Sequence, residues 1–137
     1  MRIRLTACMT GFGLILAALP VGAHHSFNAE YDVAKPITLK GSVTKVEWKN
    51  PHTYFYIDVK DETGKVTNWG LEMGSPNGLM RAGWTRNSMK VGDEIVVEAS
   101  RAKDGSQLAN VKAVTLGSTG QRLFGASSGD QPETPAR

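Results

Sequence analysis

From residue 37 to residue 116 apolar and polar side chains alternate in short runs, broken by Gly, Pro, Asn and Asp. That is the pattern of half-buried strands separated by turns. Ile37–Trp48 is predicted as a long first strand, and Gly41 inside it marks a bulge or bend. Asn50-Pro51 predicts a turn. Over Thr53–Lys60 the alternation puts Phe55, Ile57 and Val59 on one face and Tyr54, Tyr56 and Asp58 on the other. Asp61-Glu62-Thr63-Gly64 predicts a hairpin into Lys65–Met73, where Trp69 and Leu71 share a face. Ser75-Pro76 is a helix start, with Ser at the N-cap and Pro at the first helical position, and Gly83 marks the end. Val91-Gly92-Asp93 leads into Glu94–Arg101, and Lys103-Asp104-Gly105-Ser106 turns the chain into Leu108–Leu116.

Five strands with one short helix between the third and fourth predict an all-β domain, a small five-stranded OB-like barrel. A small sandwich of the same strands is the alternative. The long, kinked first strand favours the barrel, because that strand must serve both halves of the sheet. Around this domain (37–116) lie an N-terminal arm over 24–36, ending at Pro36, and a tail over 117–137 rich in Gly, Ser and Pro. The tail is expected to be flexible, with Leu123-Phe124 as the place where its start is pinned to the domain.

Residues 1–23 have the parts of an export signal. Arg2 and Arg4 supply the positive end, an apolar stretch runs through Leu14–Leu19, and Val21-Gly22-Ala23 supplies a cleavage site. The stretch is short and interrupted by Gly11, Gly13 and Pro20, so it predicts a cleaved leader and a periplasmic protein with no membrane span. Cys8, the sole cysteine, would leave with the leader, which excludes disulfides and thiol chemistry. Loss of the two arginines leaves fourteen basic residues against 13 acidic ones. A near-neutral chain with scattered lysines argues against a nucleic-acid partner, which calls for a concentrated basic face.

Cleavage after Ala23 makes His24 the N-terminus. Its free amine and ring Nδ1 then form a chelate, and a third nitrogen completes a T-shaped site suited to copper. His52, beside the Asn50-Pro51 turn, is the candidate third ligand. A rival arrangement uses the amine, the deprotonated amide and the ring of His25. Set against both is a plain reading, in which His24 and His25 are a polar chain end and His52 a hydrogen-bonding group at a turn.

Aromatic residues are the second feature. Trp48, Tyr54, Tyr56, Trp69 and Trp84 lie between positions 48 and 84. Tyr54 and Tyr56, with Trp48 and Trp84 nearby, are candidates for a face that holds a glycan, peptide or partner protein. The competing reading puts the tryptophans in the core and the tyrosines half-buried under the arm. Catalytic patterns are absent: no G-x-S-x-G surrounds Ser26, Ser75 or Ser88. Glu72 and Asp93 read as turn or edge charges. Gly74–Gly78 lacks the Lys-Ser/Thr of a phosphate loop and reads as a capped helix start.

The motifs His24-His25-Ser26-Phe27, Val46-Glu47-Trp48-Lys49-Asn50-Pro51-His52, Asn68–Glu72, Gly74–Asn77, Gly83–Arg86, Val91–Asp93 and Arg101–Gly105 resemble those of a family of short exported bacterial proteins. It is a domain-of-unknown-function family, so the resemblance implies a leader and a single domain but no activity. The expectation is a non-enzymatic periplasmic binding protein, with copper as candidate ligand. A metal-free interaction module is the alternative, and a small copper-dependent oxidase the third reading.

Overall fold

The computed structural model describes residues 27–127. A single helical turn, α1 (Phe27–Glu30), leads into β1 (Tyr31–Glu47), followed by β2 (Tyr54–Lys60) and β3 (Val66–Glu72). Then come α2 (Pro76–Arg81), β4 (Glu94–Ala102), β5 (Leu108–Leu116) and β6 (Arg122–Phe124). The sheet order is β3-β2-β1-β4-β5-β6, and a parallel pairing of Gly70–Glu72 with Leu108–Asn110 joins β3 to β5. Five strands thereby close into an OB-like barrel.

Closure depends on β1, which pairs with β4 along Tyr31–Ser42 and with β2 along Ser42–Glu47. Gly41 sits where β1 passes from one partner to the other. A Cβ there would lie well inside 3.0 Å of the Asp58 carbonyl, so only glycine lets the strands approach so closely. The inner faces match the alternation: Phe55, Ile57, Leu71, Ile95, Val97 and Val111 are buried in one core, with Val59 and Trp69 packed partly against it.

Turns form where side chains bond their own backbone. Asp61 Oδ1 accepts from the Thr63 and Lys65 amides at 2.9 and 3.0 Å, and Asp104 Oδ1 accepts from the Ser106 amide at 2.9 Å. Ser75 Oγ caps α2 by accepting from the Gly78 amide, and Pro76 holds the first helical position.

The structure departs from the sequence expectations at both ends of the domain. The arm expected over 24–36 is already α1 and the start of β1 from residue 27 on, because Tyr31 and Asp32 pair with Ala102 and Arg101. Pro36 does not stop the strand. It lies where the register shifts between Asp32 and Pro36, a bulge that tolerates a missing N–H. The tail expected from 117 stays on the barrel through residue 127. Arg122–Phe124 pairs with Ala113–Thr115 as a sixth strand, and the Gly125 amide donates to the Lys112 carbonyl at 2.9 Å. The proposed leader, Cys8, His24, His25 and the last ten residues lie outside the described residues.

Candidate functional site

The β2–β3 hairpin places Tyr54 directly opposite Glu72 on the outer face of the barrel. Tyr31, at the first position of β1, reaches the same carboxylate. Both hydroxyls donate to Glu72 Oε2, Tyr54 at 2.7 Å and Tyr31 at 2.9 Å. Glu72 Oε1 lies 3.6 Å from His52 Nδ1, and the Glu72 side chain is only 12% exposed. Burial is the main cause that pushes both tyrosine hydroxyls above their ordinary pKa, and the neighbouring Glu72 charge adds to it.

His52 Nδ1 also faces the Met73 carbonyl at 3.3 Å. A carbonyl oxygen only accepts, so Nδ1 carries the proton in the neutral ring and Nε2 carries the lone pair. Nε2 has no hydrogen-bond partner among the described residues. His52 is thus held through Nδ1 by the Met73 carbonyl, with the Glu72 carboxylate 3.6 Å away and Nε2 open, an arrangement also found in histidines that bind metals.

Beside this cluster is a cleft of about 560 Å³, whose lining includes Tyr31, Tyr54, Glu72, Lys103, Asp104 and Leu108. It lies between the outer face of β2–β3 and the β4–β5 turn, the surface on which OB barrels hold oligomeric ligands. Lys103 closes one side, its Nζ donating to the Asn28 carbonyl at 2.6 Å.

The remaining predicted aromatics divide. Tyr56 is half-buried on the outer face and donates to Glu47 Oε2 at 3.2 Å. Lys45 and Lys49 pair with Glu47 at 2.6 and 3.2 Å, and the same ammonium groups stand 5.5 and 5.3 Å from the Tyr56 and Tyr54 ring centroids. Lys45 and then Lys49 hold the Glu47 carboxyl down to about 2. Trp48 is half-buried with Arg86 over its ring at 5.7 Å. Trp84 corrects the expectation of a surface role: it is 2% exposed, and its indole N–H donates to the Phe124 carbonyl at 2.8 Å. It belongs to the core and holds β6 in place.

Sequence reasoning missed Tyr31 and took Glu72 for an edge charge. The signal for Glu72 was present, because a turn at 61–65 with antiparallel pairing sets Tyr54 opposite it. Nothing local marked Tyr31, whose partner is 41 positions away. Among the described residues no three His, Cys, Asp or Glu side chains form a metal-holding group, and no helix is long and apolar enough to cross a membrane.

The chain belongs to a family of unknown function, DUF6152, whose sequence profile matches residues 13–111. No curated protein matches it in sequence. Among solved structures it is similar to Rim1, a mitochondrial single-stranded DNA binding protein of S. cerevisiae, at a TM-score of 0.46 and 13% identity. That likeness covers 60% of this chain and 93% of the other.

Proposed function

We propose that this protein is a small exported binding protein of the periplasm, and that its ligand is a copper-class ion. The amine and ring of His24 supply two nitrogens and His52 Nε2 the third. The observation that carries the reading is the state of His52, whose Nδ1 is turned to the Met73 carbonyl and Glu72 while Nε2 stays open. Two residues lie between His24 and Phe27, and the three residue steps give an extended reach of about 10 Å. The His25 amide chelate remains the rival arrangement.

Copper titration of the protein purified after export, in competition with a chelator, tests this, with mass spectrometry reading the first residue. One tight site, lost in His52→Ala and lost when a residue is added before His24, supports the three-nitrogen site. A site lost only in His25→Ala transfers the reading to the amide chelate. Affinity no better than that of a free His-His peptide removes the metal altogether.

The cleft beside Tyr31 and Tyr54 favours a second reading, a metal-free interaction module that takes a glycan, peptide or partner protein on the outer face of β2–β3. An added N-terminal residue separates the two, since it abolishes metal binding and leaves binding in the cleft intact. A nucleic-acid ligand is disfavoured on this face, where Lys45 and Lys49 are both engaged by Glu47.

A further inference from the structure

The outer face of β1, β4 and β5 carries a separate cavity of about 270 Å³. One wall is Asn110, whose strand neighbours Ala109 and Val111 point into the core. Asn110 therefore faces outward, yet it is only 4% exposed. Its carboxamide opens on the cavity and makes no hydrogen bond to protein among the described residues. Its polar atoms are not among the sealed, unpaired ones of the described residues, so water reaches them from the cavity and a ligand that enters must offer equivalent hydrogen bonds. Thr38, Ser100 and Ser127 line the same space, and their hydroxyls, like the carboxamide, can both donate and accept.

The lining also includes the apolar residues Phe27, Val33, Pro36 and Ala99. Charge is nearly absent as a means of recognition. Glu98, at the rim, is occupied by Arg122 through two bonds of 3.1 and 2.9 Å, and the other charged lining residue, Lys112, is exposed. The volume falls just under the roughly 300–1,000 Å³ of pockets for drug-sized ligands, which suits a single ring.

We propose that this cavity binds one uncharged sugar residue. Such a ring presents several hydroxyls, each donor and acceptor, to Asn110, Thr38, Ser100 and Ser127, and its C–H face to Phe27. A lining that combines neutral two-way polar groups with an aromatic residue matches that ligand better than an ion, for which the cavity offers no unpaired buried charge. The inference is independent of the metal reading, because it uses none of the same residues.

The test is an NMR titration of the isotope-labelled protein, purified after export, with glucose, galactose and N-acetylglucosamine separately. Glucuronate serves as the charged comparison. The expected result is a saturable shift of the Thr38 and Ser100 backbone amides, with the Asn110 side-chain amide moving as well in the parent, for at least one neutral sugar. The affinity read from the backbone amides is weakened tenfold or more in Asn110→Leu and in Phe27→Ala. Backbone amide shifts of Asn110→Leu that match the parent's outside β5 and the cavity show that lost binding there is not lost folding. No saturable shift with any neutral sugar, binding unchanged in Asn110→Leu, or tighter binding of glucuronate through Lys112 would each overturn the proposal.

Discussion

Tyr31 and Glu72 are 41 positions apart, and the hydroxyl of the first donates to the carboxylate of the second at 2.9 Å. This bond fastens the beginning of β1 to the end of β3, two segments that the ladder itself does not pair. Tyr54 donates to the same oxygen and His52 faces the other, so one carboxylate organises three side chains. Glu72→Ala leaves the buried Tyr31 and the half-buried Tyr54 without their acceptor and should lower stability by about 2 kcal/mol or more, whereas Tyr31→Phe should cost about 1.5 kcal/mol. Urea unfolding midpoints measure both. A Glu72→Ala loss smaller than that of Tyr31→Phe would show that the carboxylate does not hold the cluster.

The same burial sets an alkaline limit. Tyr31 and Tyr54 hold their protons above the ordinary tyrosine value, first through desolvation and then through Glu72. In the unfolded chain both ionise near pH 10. The folded state then binds more protons than the unfolded one, so this contribution is full below about pH 10 and is lost as pH rises toward the folded values. Near-ultraviolet absorbance of tyrosinate, followed beside circular dichroism, should show the signal of these two tyrosines appearing only as the fold is lost. Reversible ionisation of all three tyrosines in the native fold contradicts this.

Two glycines should resist substitution because backbone passes over them. A Cβ at Gly41 or Gly74 would lie well inside 3.0 Å of the Asp58 or Ala126 carbonyl. Each Gly→Ala change should cost about 1–3 kcal/mol, the usual penalty for overpacking. Gly92 has open space around it but a φ of +93°, so Gly92→Ala should cost only about 1–2 kcal/mol through backbone strain. Thermal unfolding of the three variants checks the order.

Trp84→Phe keeps an aromatic ring in the core but removes the donor to the Phe124 carbonyl. A loss of about 1–2 kcal/mol is expected, with faster hydrogen exchange concentrated in Arg122–Phe124. Exchange that rises evenly over the barrel would assign Trp84 to packing alone.

Much of the fold was legible in the alternation. Phe55, Ile57 and Leu71 are inside because a strand repeats every two residues, and Asp61, Ser75 and Asp104 stop or start elements by bonding to backbone within a few positions. Pro36 misled because a proline can sit in a bulge as easily as at a strand end. β6 was hidden by composition: only Leu123 and Phe124 are large apolar residues among the Gly and Ser of 117–127. Of the site, His52, Tyr54 and Tyr56 were visible as residue types, but their relations to one another were not.

By itself the sequence determined the strands, their inner faces, the turns between them and the cap of α2, since each depends on residues a few positions apart. Tertiary structure alone decided that Tyr31 reaches Glu72, that Glu72 and Met73 orient His52, that Trp84 holds β6, and that Asn110 is buried on an outer face. These relations depend on how strands distant in sequence are brought together when the barrel closes, and local periodicity carries no information about that distance.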